Sequence, residues 1–287
     1  MIRKRLHRLA FLLCLLVPAV ATAGAGRVEE RRLPYAPIAA EVAAEQALRQ
    51  APIDAFRPEV FTAPDGSPVR YRLLSPPAEP GGARLPLVLV LPTSGGIGTD
   101  NLNQMIAPLA KSWADPAVAD RFPAYVAAIQ VTERSAIYGR DADGMQASRP
   151  GPPLPPLLAL VDDLAGRLPV DPSRIYLVGF SMGGSSAMNA VVLAPRRFAA
   201  VVSFSGVPPQ RRLATAVAHV PMLLVHGMAD RNNPVDADRA WARALAAAGA
   251  SPTLLIYDGL GHKVAPGMFL ATDWRDWLFA QRAAVGP

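Results

Sequence analysis

The stretch from Ser173 to Pro195, SRIYLVGFSMGGSSAMNAVVLAP, constrains the fold more than any other part of the chain. Arg174 to Phe180 is almost continuously apolar, the composition of a strand buried on both faces. It stops at Gly179-Phe180-Ser181-Met182-Gly183, and the residues after it read as a helix that Pro195 ends. A strand that runs straight into a helix must turn sharply, and Ser181 sits at that turn. The two glycines lie two residues to either side, where a side chain would collide across so tight a bend. Ser181 itself needs a strained backbone, which leaves its hydroxyl exposed. Outside a strand and a helix, the same G-x-S-x-G pentapeptide would be an ordinary Gly-Ser turn.

The surrounding pattern supplies the fold class. LPLVLVLP, FPAYVAAIQ, FAAVVSFSG, VPMLLVHG and PTLLIYDG are further apolar strands. Between them, LLALVDDLAGRL, DADRAWARALAAAG and FLATDWRDWLFAQRAA have helical spacing. Apolar strands alternating with helices predict an α/β protein with a mostly parallel, doubly wound sheet of about eight strands, covered by helices on both faces. Before this, EVFTAPDGSPVRYRLLSP reads as two strands around the turn Pro64-Asp65-Gly66. Ile38 to Gln50 reads as a short helix. Asn101 to Ala114 reads as a helix capped by Asp100 or Asn101. Arg134 to Pro156, polar and then proline-dense, reads as a surface loop.

The first residues have a different grammar. Arg3, Lys4, Arg5 and Arg8 form a basic head, Leu9 to Val17 is apolar, and Ala21-Thr22-Ala23 is a small-x-small site. These are the three parts of a secretory signal peptide, and the apolar run is short of the ~20 residues that span a bilayer. The expected division is a signal peptide over 1–23, an N-terminal extension over 24–57 and a catalytic domain over 58–287. The expected location is secreted or periplasmic, with no stable membrane anchor after cleavage. Cleavage also removes Cys14, the one cysteine, so a disulfide or a thiol nucleophile is not expected. The whole chain has a formal charge of +6. Much of that excess belongs to the leader, so a nucleic-acid partner is not expected.

A serine hydroxyl needs a base to take its proton. His7 belongs to the leader. His219 precedes a strand, at the end of the sheet away from the chemistry. Sites in doubly wound sheets form at the carboxyl ends of strands, which leaves His226 and His262. The order nucleophile, acid, histidine selects His262, and His226 is expected to brace the loop that bears the acid. Asp230 follows the strand ending at His226 and is the expected acid, with Asp236, Asp238 and Asp258 as alternatives. The oxyanion needs two N–H donors. Met182, after the nucleophile, is one. Ser94, in the Gly-rich loop TSGGIG after LPLVLVLP, is the other, with Thr93 and Gly95 behind it. A phosphate loop is excluded, because no Lys-Ser/Thr pair follows those glycines. No metal or cofactor is expected.

GGIGTDNLNQM, DPSRIYLVGFSMGG, LLVHGMADRNNPV and YDGLGH, in this order along the chain, resemble the α/β-hydrolase superfamily. More narrowly, they resemble its secreted esterases and predicted peptidases related to prolyl oligopeptidase, feruloyl esterases and polyhydroxybutyrate depolymerases. The resemblance implies a Ser181–His262–Asp230 triad with Met182 and Ser94 as the oxyanion hole. It also implies a small-molecule or polymer-borne ester as substrate. A peptidase of the same fold and a non-catalytic ligand-binding homologue are the alternatives. One departure is visible: such proteins usually have His-Gly where this chain has Pro92-Thr93. Tyr138, Met145 and Met268 are expected as apolar lining, with Arg134–Pro156 and GHKVAPGMF walling the pocket.

Overall fold

The computed structural model describes residues 26–76 and 82–284; the predicted leader lies outside them. The chain enters through strand β1 (Glu29–Pro34) and helix α1 (Ala39–Gln50). The hairpin β2 (Phe56–Thr62) and β3 (Pro68–Leu74) follows, then β4 (Leu85–Leu91). Short helices α2 (Pro108–Lys111) and α3 (Pro116–Arg121) lead to β5 (Tyr125–Gln130) and a second hairpin, β6 (Ala136–Arg140) and β7 (Gln146–Pro150). The regular α/β part is α4 (Leu154–Arg167), β8 (Val170–Phe180), α5 (Met182–Leu193), β9 (Ala200–Phe204), α6 (Ala214–Val217), β10 (Met222–Gly227), α7 (Val235–Ala247), β11 (Thr253–Asp258) and α8 (Asp273–Phe279).

Nine strands form one sheet in the order β1-β11-β10-β9-β8-β4-β5-β3-β2. β3 runs antiparallel to its neighbours β2 and β5, and every other pairing is parallel. The segment expected as an N-terminal extension supplies the ninth strand, with Glu29 to Pro34 in parallel register on Thr253 to Asp258.

The strands are apolar at every position because both faces are covered. In β4, Leu87, Leu89 and Leu91 point into a core shared with α4, α5 and α7, which contribute Leu157, Met188 and Trp241. Val88 and Val90 point the other way, into a core with Leu109, Trp113, Trp274 and Leu278. The period-2 alternation of a strand thus serves two cores at once. α5 sits centrally, with Met182 through Val191 all buried, and accordingly has no polar face.

Two expected elements differ. Residues 101–114 are not one helix: a 3-10 turn at Asn103–Met105 is followed by α2 and a second 3-10 turn at Ser112–Ala114. Pro108 has no N–H to continue a helix and instead starts α2. Asn101 has φ 56, outside the helical region. Asp100 does cap the turn, accepting the Leu102 and Asn103 N–H groups. Arg134–Pro156 holds the β6–β7 hairpin rather than a loop. Asp141 orders its turn by accepting the Asp143 and Met145 N–H groups, and Gly144 takes φ 76.

Candidate active site

Ser181 stands between the end of β8 and the start of α5 with φ 56 and ψ −120, a conformation few non-glycine residues adopt. Its surroundings enforce it. The Ser181 N–H donates to the Phe204 carbonyl at 2.8 Å, and its own carbonyl accepts from Ser185 N–H and Oγ. A Cβ on Gly179 would lie 2.3 Å from the Gly183 carbonyl carbon, and one on Gly184 2.5 Å from Ser203 Oγ. Both distances are impossible, so the close passage of strand and helix needs glycine there. Ser185 Oγ also accepts the Val207 N–H at 2.7 Å, which locks the helix start to the loop after β9.

The imidazole of His262, in the loop after β11, faces this serine. Its Nε2 lies 2.8 Å from Ser181 Oγ, and its Nδ1 lies 2.7 Å from Asp230 Oδ2. The Phe180 ring sits 5.0 Å from the imidazole and steadies it from one side. Asp230 is buried in the loop after β10, where its Oδ1 accepts the N–H groups of Asn232 and Asn233, each at 2.9 Å. Burial alone would raise the Asp230 carboxyl. Hydrogen bonds from His226, His262 and the Asn233 backbone overcome that and hold it well below the usual carboxylate range. The acid is therefore a fixed anion at neutral pH.

The other sequence candidates fall elsewhere. His219 is at the opposite end of β10, bonded to the Pro195 carbonyl. Asp258 pairs with Arg32 and Asp236 with Arg239 on the surface. His226 lies behind Asp230, wholly buried, with Nδ1 2.7 Å from Asp238 Oδ2 and Nε2 2.6 Å from the Asn233 carbonyl. Sequence reading left this role of Asp238 unrecognised. The signal was present, since Asp238 shares the buried stripe of α7 with Trp241, Ala242 and Leu245 at helical spacing.

Met182 is the first residue of α5, so its N–H has no carbonyl one turn earlier to receive it. Ser94 opens the 3-10 turn Ser94–Gly96 after β4 in the same way. The elements that carry them touch: a Cβ on Gly183 would lie 2.2 Å from the Leu91 carbonyl oxygen and 3.0 Å from that of Pro92. Thr93, in place of a glycine, has φ −66 and ψ 170. That is ordinary extended backbone, so the departure from His-Gly costs the loop no strain.

A cavity of about 370 Å³ opens beside Ser181 and His262. Pro92 to Gly95 form one side, and Lys263, Val264 and Phe269 another, as the sequence led one to expect of the histidine loop. Further lining comes from Asn103, Gln104 and Ile106 to Ala110, from Phe180, and from Glu45 and Arg49 of α1. The expected lining residues Tyr138, Met145 and Met268 are not part of it. Tyr138 and Met145 border a separate cleft near Arg231, and Met268 borders a groove along β1. The physical reason is the β6–β7 hairpin, which packs on the α5 side of the sheet, its Tyr138 hydroxyl 3.2 Å from Ser185 Oγ.

A family model described as Phospholipase/Carboxylesterase matches residues 154–272, which span β8, α5, Asp230 and His262. Acyl-protein thioesterase 1 of Eremothecium gossypii is 33% identical over 99 residues, 32% of this chain and 42% of that protein. A "Probable carboxylesterase" of Oryza sativa subsp. japonica is 32% identical over 113 residues, 37% of this chain and 42% of that one. The chain thus spans less than half the length of these curated relatives. Among solved structures, a thermostable esterase superposes with a TM-score of 0.71 at 26% identity, over 80% of this chain and 64% of that one.

Proposed function

We propose a serine esterase activity for this chain, a member of the α/β-hydrolase superfamily. The single observation that supports it most is the alignment of Ser181 Oγ, His262 and Asp230 in two consecutive contacts of 2.8 and 2.7 Å. In this reading Ser181 Oγ attacks the ester carbonyl carbon while His262 Nε2 takes its proton. Asp230 holds Nδ1–H, which fixes the tautomer and stabilises the imidazolium. The carbonyl oxygen becomes an oxyanion held by the Met182 and Ser94 N–H groups, with the N-terminal dipole of α5 behind it. The imidazolium returns its proton to the alcohol oxygen as the C–O bond breaks, leaving an acyl-serine. A water molecule, deprotonated by His262, then releases the acid and restores the serine.

The substrate is a small-molecule or polymer-borne carboxylic ester whose acyl or alcohol part fits the cavity beside Ser181. The apolar side chains of Ile106, Leu109, Val264 and Phe269 favour a hydrocarbon or aryl portion there. The basic, apolar and small-residue succession of residues 1–23 supports export of the protein across a membrane.

The test is a fluorophosphonate probe together with p-nitrophenyl ester turnover. The wild type should be labelled at Ser181 and hydrolyse the ester. Ser181→Ala should do neither, with an unchanged circular dichroism spectrum. Ester turnover retained by Ser181→Ala would overturn the reading.

A further inference from the structure

Behind Asp230 the protein buries a second imidazole–carboxylate pair, and the chemistry proposed for Ser181 makes no use of it. His226 and Asp238 are both fully enclosed. The Asn233 carbonyl can only accept, so the 2.6 Å contact requires a proton on His226 Nε2. The same N–H edge faces Asp230 Oδ2 at 3.4 Å. On the other side of the ring, Nδ1 and Asp238 Oδ2 are 2.7 Å apart and must share a proton, whichever atom holds it. Asp238 Oδ1 has no hydrogen-bond partner among the described residues. A buried carboxylate with one oxygen unsatisfied is a costly group to keep for packing alone.

The contacts run onward to the nucleophile. Asn233, held by His226 through its carbonyl, gives its backbone N–H to Asp230 Oδ1 and its side-chain Nδ2–H to the Ser205 carbonyl. Ser205 has φ 47 and follows Phe204, whose carbonyl receives the Ser181 N–H. One imidazole edge therefore fixes the loop that presents the acid and, through Asn233, the turn beside the serine.

We infer that His226 and Asp238 are positioning residues for Asp230: the buried pair holds the Asn233 carbonyl and the Asp230 carboxylate in the orientation that His262 requires. This rests on the proposed roles of Ser181, His262 and Asp230. Burial would push the His226 imidazole down, but the facing Asp238 carboxylate, with hydrogen bonds to Asp230, Asp238 and Asn233, holds it up at about 10. Burial pushes the Asp238 carboxyl up as well. Both directions say that the pair keeps its proton.

Two variants test the assignment. His226→Phe combined with Asp238→Leu fills the same space with apolar groups and removes both polar partners, a replacement that buried ion pairs often tolerate. Its kcat for a p-nitrophenyl ester should fall about 10²-fold. KM should stay unchanged, because neither residue lines the cavity. Asp238→Asn keeps an amide donor for a neutral Nδ1 and leaves Nε2–H on the Asn233 carbonyl, so it should rescue most of kcat. A double variant that turns over at the wild-type kcat, or an Asp238→Asn enzyme as impaired as the double variant, would overturn the inference. If the double variant does not fold, 15N-histidine spectra of the wild type decide: residue 226 should bear a proton on Nε2 at neutral pH, and a bare Nε2 overturns the assignment. Absence of fluorophosphonate labelling in the wild type marks instead the failure of the esterase reading.

Discussion

The hydrogen that Gly183 has in place of a side chain faces the carbonyl oxygen of Leu91, and a Cβ there would lie only 2.2 Å from it. This contact joins the first turn of α5 to the carboxyl end of β4, and so joins Met182 to the loop that contains Ser94. Both partners are backbone, so neither can swing aside. Gly183→Ala should force the helix start away from the strand. We expect a loss of about 1–3 kcal/mol in stability and a roughly 10²-fold fall in kcat as the proposed oxyanion donors, the Met182 and Ser94 N–H groups, separate. Thermal melts and p-nitrophenyl ester kinetics check both numbers. An alanine variant with wild-type kcat would mean that these two backbones do not form the oxyanion site.

Asp230→Asn separates orientation from bulk. The amide oxygen of the new side chain can still accept the Asn232 and Asn233 N–H groups, so the loop should keep its shape. Its NH2 group, however, would face His262 Nδ1 and favour the tautomer with hydrogen on Nε2, pointing at Ser181. The serine then has no base. Activity should fall about 10⁴-fold in a variant that still folds, although its melting temperature at neutral pH should drop as the depressed carboxylate's charge is lost. A loss below tenfold in single-turnover kinetics would remove Asp230 from the role proposed for it.

How far the sequence reached depends on where a signal comes from. The turn at Ser181, with Gly179 and Gly183, was legible because a buried strand and a buried helix impose apolar runs of recognisable length. Asp230 and His262 were legible because each follows such a strand. β1 was not, since Glu29 to Arg32 are exposed and charged. An edge strand that pairs through its backbone on one side needs no apolar pattern, and charge there discourages pairing with other chains. The cavity wall was also hidden. Glu45 and Arg49 reach it only because α1 packs on the segment around α2, a contact between distant parts of the chain that local periodicity does not encode. The helix expected over 101–114 failed at Pro108 and Asn101, which were both visible but outweighed by apolar spacing.

Acid should weaken the fold through Asp171 in β8. Burial would raise this carboxyl, but the Ser173 hydroxyl, Arg174 and the Ser173 N–H bring it down to about 2 from an unfolded value of 3.8. A depressed folded value means stability that is complete above pH 4 and lost as pH falls from about 4 to about 2. The side chain is 19% exposed, and the shift corresponds to about 2 kcal/mol at neutral pH. Asp171→Asn should therefore melt below the wild type at pH 7, and the difference should shrink to near zero at pH 2. A gap that stays constant across that range would show that the loss comes from packing rather than charge.

The cavity makes a size prediction that is independent of the catalytic step. Ala107 lies in its wall between Ile106 and Pro108, away from the contacts of Ser181, His262 and Asp230. An indole placed there by Ala107→Trp would occupy a large part of the roughly 370 Å³ beside the serine. An ester with a two-carbon acyl group needs little of that room, whereas a benzoyl or octanoyl ester needs several times more. Acetate turnover should then stay within about threefold of wild type, while kcat/KM for the bulky esters falls at least tenfold, a loss of about 1.4 kcal/mol in transition-state binding. The fluorophosphonate labelling rate with a small probe should be unchanged, which separates a narrowed pocket from a damaged serine. Octanoate and benzoate turnover unchanged by Ala107→Trp would place the acyl group outside this cavity.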